Sequence, residues 1–179
     1  MTRFIAACAL VLAMLAVASA AAAPAPQTAP GDQLDPRTYD PQSKPSLAVY
    51  GVGVQKYACQ PNGTWLFTDP EAVLYDSKQG GKQVGTHFLN FATGRPVWQF
   101  KDGSSVEAAR KASASGGPGN IGWLLLQAAD SSSGADGDRL TGTAWVQRLN
   151  TSGGVAPSAP CTPGDTLAVP YTTDYFFWK

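Results

Sequence analysis

The sequence predicts a single all-β domain, an antiparallel β-sandwich or barrel with long loops and at most one short helix. Three observations lead there. Short apolar segments rich in β-favouring residues recur at intervals of about ten residues. Turns rich in glycine, proline, asparagine and aspartate separate them, in a chain holding 19 Gly and 14 Pro. Only one stretch, 105–114, has a composition open to a helix, and no internal repeat marks a solenoid or propeller.

The elements follow in order. Residues 24–46 are rich in Pro, Ala and Asp and read as an extended leader, lying over the domain or disordered. Residues 47–59 alternate and carry three valines, a strand with Gly51 and Gly53 on one face, where a neighbour packs closely or the chain bends. Pro61-Asn62-Gly63 is a hairpin turn leading into a strand at 64–68. Asp69-Pro70 interrupts before a further short strand at 72–76, and Gln79-Gly80-Gly81 turns the chain again. Strands at 82–90 and 96–101 flank Gly94-Arg95-Pro96, and Asp102-Gly103 makes a tight turn. Residues 105–114 are a short helix or a strand, because they lack a clear apolar stripe. Residues 121–129 form a near-continuous apolar run, a strand buried on both faces. The stretch 130–138 is loop, 140–149 a strand with Trp145 and Val146 on opposite faces, and 150–166 a second long loop. The chain ends in a strand dense in aromatics, Tyr171 to Lys179. Five tryptophans, all on expected strands, supply much of the core.

Residues 1–23 read as a secretory signal peptide. Arg3 gives the positive start, 4–17 the apolar segment, and Ala18-Ser19-Ala20 and Ala21-Ala22-Ala23 the small-x-small cleavage sites. The segment dissolves into Ala-Pro repeats and lacks the flank of an anchor, and no later segment spans a membrane as a helix. The expected location is therefore extracellular, or periplasmic in a Gram-negative host. Arg3 leaves with the signal, so the 13 basic residues become 12 facing 13 acidic ones. A near-neutral chain without a basic patch gives no reason to expect nucleic acid or acidic lipid as a partner.

Cys8 leaves with the apolar segment, and Cys59 and Cys161 remain. In an exported chain such a pair is most simply a disulfide, closing a loop of roughly 100 residues. Two free thiols are the weaker alternative. A metal pair is weaker still, with one histidine in the chain and no CxxC spacing. No cofactor is expected.

An ordered set of motifs carries a family resemblance. It runs from GVGVQKYAC at 51–59 through Trp65, DPEAVL at 69–74, GTHF at 85–88, Pro96-Val97-Trp98 and Asp102-Gly103-Ser104. It continues with IGWLL at 121–125, VQRLNT at 146–151, Gly153-Gly154, Cys161 and Tyr171. Over roughly 47–179 the chain resembles the DUF3455 family of secreted fungal and bacterial proteins, whose function is unknown. Some fungal members carry a malate dehydrogenase label, which this sequence does not support. Gly51-Val52-Gly53 runs into β-type sequence, with no helix to receive a pyrophosphate.

His87, the only histidine, is the side chain best suited to moving a proton near neutral pH. A hydrolase would use it as general base, with Asp102 as orienter and Ser104 or Ser105 as nucleophile, although no GxSxG elbow is present. Glu71, Asp76, Asp102 and Asp174 are the carboxylates open to a glycosidase. The bland alternative makes His87 a structural residue hydrogen-bonded between strands, sharing a face with Leu89 and Phe91 while Phe88, Leu89 and Phe91 fill the core. Trp98, Trp178 and Tyr175 are candidates for stacking on a carbohydrate or cell-surface ligand, with Trp178 the most exposed. Asn62 and Asn150 head glycosylation sequons, which matter only in a eukaryotic host. The expected function is a secreted binding or structural domain, with a hydrolase built on His87 as the alternative.

Overall fold

The computed structural model describes residues 28–29, 31–79 and 81–179. The expected signal peptide and the start of the leader lie outside the described residues. Eight strands run in chain order: β1 (Pro45–Cys59), β2 (Trp65–Tyr75), β3 (Gln83–Asn90), β4 (Arg95–Phe100), β5 (Ser105–Ala114), β6 (Trp123–Ser132), β7 (Trp145–Gly153) and β8 (Thr166–Trp178). Each pairs antiparallel with the next, and β8 pairs with β1 from Pro45↔Trp178 to Ala58↔Thr166. The sheet is thus a closed up-and-down barrel, which leaves no unpaired edge. A single turn of 3-10 helix at Pro36–Thr38 is the only helix among the described residues. None of them forms a helix long and apolar enough to cross a membrane.

One element that the sequence left open is decided, and several others differ from the sequence reading. Residues 105–114 are strand, held between β4 and β6, with Ala108 opposite Ala128. Strand β6 runs on into the serine-rich stretch as far as Ser132, which pairs with Ser105. The two short strands expected around Asp69-Pro70 are one, β2. Pro70 sits near a bulge at Thr68 of β2, opposite Lys56 and Tyr57 of β1, the kind of site where a strand tolerates proline. Strand β7 starts at Trp145 rather than Leu140 and continues past a register shift between Leu149 and Ser152. Asn150 takes the left-handed conformation there, φ 51°, which asparagine tolerates better than most residues. Its amide donates to Asp174 Oδ2, so this sequon is engaged in the sheet, whereas Asn62 sits exposed in its turn.

Alternation along the strands builds two cores. Inside the barrel pack Val49, Leu74, Trp98, Phe100, Val106 and Phe177, and Leu140 from the β6–β7 loop closes one end. The outer faces of β6, β7 and β8 carry a second cluster, Leu125, Trp145, Leu149, Phe176 and Trp178, which Leu34 of the leader covers. The buried Gln147 ties this layer together. Its Nε2 donates to Leu34 O, and its Oε1 accepts from Trp178 Nε1 at 2.8 Å. Asp35 is fully buried beside it and takes a two-point contact from Arg37. Trp178 is therefore 1% exposed, not the exposed ring expected, because the leader lies over it.

Phe88 and Phe91 also correct the sequence reading. With His87 and Leu89 facing inward, Phe88 points out and is 38% exposed, and Phe91 lies beyond the strand in the β3–β4 turn, 77% exposed. Cys59 and Cys161 are bonded, with Cα atoms 5.8 Å apart. The bond fastens the β7–β8 loop to the β1–β2 hairpin, beside the hydrogen bonds Cys161 N–H to Gly63 O and Cys59 N–H to Asp165 O.

The glycines of β1 mark close approaches, as their spacing suggested. A side chain on Gly51 would meet the ring of Tyr175, and one on Gly53 would lie 2.0 Å from Glu71 O. A ring can shift, but a paired backbone cannot. Gly53→Ala is therefore expected to destabilise the barrel by about 2 kcal/mol, the usual size of an overpacking penalty. An unfolding free energy from urea denaturation within about 0.3 kcal/mol of wild type would show that β1 and β2 part freely.

In this meander the hairpins β1–β2, β3–β4, β5–β6 and β7–β8 share one end. The remaining connections and both ends of the barrel sequence share the other. Leu140 plugs that second end, and the first is open.

Candidate functional site

The open end leads into a cavity of about 390 Å³. Its floor is a cluster of rings. His87 stacks on Trp98 with centroids 4.5 Å apart, and Tyr175 meets both at 5.3 and 5.4 Å. The register explains the cluster, since His87 pairs directly with Trp98 across β3 and β4. Gly51, opposite Thr173, leaves the room that the Tyr175 ring fills. Leu89, Leu124, Leu126 and Ala108 make apolar walls, and Gln55 and Arg148 add polar ones.

His87 is 3% exposed, and its Nδ1 donates to Val97 O at 2.8 Å. Nδ1 therefore carries the proton and Nε2 the lone pair. Burial pushes its pKa down to about 3; the charge of Arg148 acts in the same direction, and the Val97 bond opposes both. The ring is neutral at any pH above that, and so weak a base takes a proton poorly at neutral pH. Burial also holds Tyr171 and Tyr175 protonated, with their hydroxyls 3.2 Å apart.

Two donors in this region are buried without a hydrogen-bond partner, Gln55 Nε2 and Trp98 Nε1. Each has a tyrosine hydroxyl nearby, Tyr171 for Gln55 and Tyr175 for Trp98, placed outside regular hydrogen-bond geometry. Buried donors are nearly always satisfied, so an unpaired pair on two residues that line one cavity is a feature to explain.

Asp102 and Ser104 lie at the other end of the barrel, in the β4–β5 turn. Ser104 Oγ donates to Asp102 Oδ1 at 2.6 Å and accepts from Leu140 N–H, and Asp102 Oδ2 accepts from Arg139 N–H. Burial raises the Asp102 pKa, but the bonds from Ser104 and Arg139 outweigh it and hold the carboxylate below its usual range. The pair clamps the loop that plugs the barrel. His87 makes no hydrogen bond to either residue or to Ser105, whose hydroxyl meets Ser132. Among the candidate carboxylates, Glu71 pairs with Lys56, and Asp174 with Lys78 and Asn150. None of them lines the cavity. Among the described residues no group of His, Cys, Asp or Glu is placed to hold a metal.

Of the residues singled out for ligand contact, the fold brings Trp98 and Tyr175 together with His87 and sends Trp178 to the outer face under the leader. Sequence reasoning missed Gln55 and Arg148. Both carried a signal: Gln55 stands two residues beyond Gly53 on the inner face of β1, and Arg148 two beyond the buried Val146 of β7. A polar side chain on the core face of a strand calls for a partner.

No curated protein and no solved structure matches the chain. A family model does, over residues 40–179, and its description is a protein of unknown function, DUF3455. That match covers most of the chain, and the protein belongs to the DUF3455 family.

Proposed function

We propose that the protein is an exported binding domain that takes a small molecule into the mouth of its barrel. The observation that carries this reading is the cavity itself. Its volume falls in the range of small-ligand sites, its floor is aromatic, and two residues that line it, Gln55 and Trp98, carry buried donors without partners. Eight-stranded barrels of this kind hold one small ligand where side chains leave the lumen partly empty. The disulfide, which persists in oxidising compartments, supports export. With Trp98, Tyr175 and Trp178 all buried, the aromatic groups favour a ligand drawn inside over a polysaccharide stacked on the surface. The hydrolase alternative has less support, because His87 has neither a hydroxyl nor a carboxylate in hydrogen-bond contact.

The test is a titration with N-phenyl-1-naphthylamine, whose fluorescence rises in apolar surroundings. The wild-type protein is expected to bind it saturably. Leu124→Trp, which fills the cavity from a half-buried wall position, is expected to weaken binding by about tenfold or more, a loss of at least about 1.4 kcal/mol. No saturable binding, or equal binding by the variant, would overturn the proposal.

A further inference from the structure

We infer that the barrel mouth selects an organic anion, a small molecule with an apolar body and a single acidic head held by Arg148 and Gln55. The inference rests on the binding reading above and names its ligand class.

The first argument is charge. Three arginines line the cavity, Arg95, Arg110 and Arg148, and no aspartate or glutamate does. Arg95 is partly neutralised by Glu107 at 3.5 Å. Arg110 and Arg148 form no ion pair among the described residues. Arg148 is the telling one, because it is half-buried. Its Nε and Nη2 both donate to the same acceptor, Gly122 O, at 3.1 and 2.8 Å. One carbonyl therefore orients the guanidinium without neutralising it, and Nη1 makes no hydrogen bond among the described residues. A partly desolvated cation without a counter-ion is costly, and the cost is recovered when an anion arrives. The charge acts on the cavity floor, lowering the pKa of His87 and opposing the rise at Tyr175, and it reaches Tyr171 in the same sense.

The second argument is independent of charge. Two residues that line the cavity carry buried groups without partners, and both groups are donors, Gln55 Nε2 and Trp98 Nε1. Gln55 is 4% exposed, so water reaches its amide poorly. A ligand that satisfies these groups must bring acceptors, and a carboxylate or sulfonate brings several without adding a donor. The walls describe the rest of the molecule. Leu89, Leu124 and Leu126 above the Trp98 and His87 rings suit a ring or an alkyl chain. The volume admits a small molecule and not a polymer.

The experiment compares two probes of one skeleton, 1-anilinonaphthalene-8-sulfonate and N-phenyl-1-naphthylamine, which differ by the sulfonate. At physiological salt the wild-type protein is expected to bind the sulfonate at least about tenfold tighter, the effect of one charge-assisted hydrogen-bonded pair. Displacement of the bound probe is expected to be stronger with 1-naphthoate than with 1-naphthylmethanol. In Arg148→Met the ratio of the two probe affinities is expected to fall towards one. Equal wild-type affinities, or an unchanged ratio in Arg148→Met, would overturn the inference. Should the variant not fold, the wild-type probe ratio and the naphthoate competition decide it. A protein that takes up N-phenyl-1-naphthylamine without preferring the anion refutes only the ligand class. One that takes up neither probe refutes the binding reading as well.

Discussion

Removing the Cys59–Cys161 bond is expected to lower the stability of the barrel by about 4–5 kcal/mol, the largest single effect foreseen for this protein. The bond spans 102 residues. In the chain-entropy account, a link over so long a loop restricts the unfolded ensemble strongly, while the folded geometry changes little. A chain of this length loses about 2–4 °C of melting temperature per kcal/mol, so the shift is about 10 °C or more. Cys59→Ser with Cys161→Ser, compared with wild type by thermal melting with and without a reductant, measures it. Wild type under reducing conditions should approach the variant, and the variant should not respond to the reductant. A shift below about 2 °C would mean that the β7–β8 loop is held by its backbone bonds to Gly63 and Cys59 and gains nothing from the link.

Acid should act on the barrel through His87. In the unfolded chain its pKa is near the ordinary 6.5, and in the fold about 3. Between these values the unfolded state binds a proton that the folded state does not. Stability is therefore complete above the unfolded pKa and falls as pH drops, by up to about 1.4 kcal/mol per unit. From pH 7 to pH 4 the loss from this one group is about 3 kcal/mol. Because His87 is the only histidine, no other side chain has its ordinary titration between pH 5 and 6.5, and the window isolates it. His87→Gln, whose amide can still donate towards Val97 O, is expected to flatten the profile there. The carboxylates that the fold holds low, Asp35, Asp102 and Glu107, add their own loss at lower pH in both proteins. Urea denaturation at half-unit pH steps supplies the curves. Parallel curves for wild type and variant would show that His87 does not carry the dependence. The same variant addresses the hydrolase alternative, in which turnover would vanish while the melting temperature held.

Much of the architecture was legible because β-structure leaves local marks. Ten-residue spacing, the Asn62-Gly63 turn and the glycines of β1 all report nearest-neighbour geometry, which sequence records directly. His87 was expected inside from its place among apolar residues, although Phe88 and Phe91 of that argument turn outward, and the disulfide from the two cysteines outside the expected signal peptide. The choice between sandwich and barrel was not available, since it depends on β1 finding β8 more than 100 residues away, and no local signal encodes that closure. Residues 105–114 became strand because β4 and β6 offer backbone partners on both sides, a tertiary demand that outweighs the alanines' indifference to it.

The cavity belongs wholly to the second category. Gln55, His87, Trp98, Arg148 and Tyr175 come from five strands, and only the twist and closure of the sheet turn their inner faces towards one space. Trp178 shows the same limit from the other side: an aromatic next to a polar C-terminus reads as exposed until the leader is seen lying over it. Most strands, the turns and the inward sense of His87 rest on a few neighbouring residues, so the sequence by itself determined them. Burial under a distant segment, and the meeting of charged and unpaired groups in one pocket, are properties of long-range packing, and only the tertiary structure decided those.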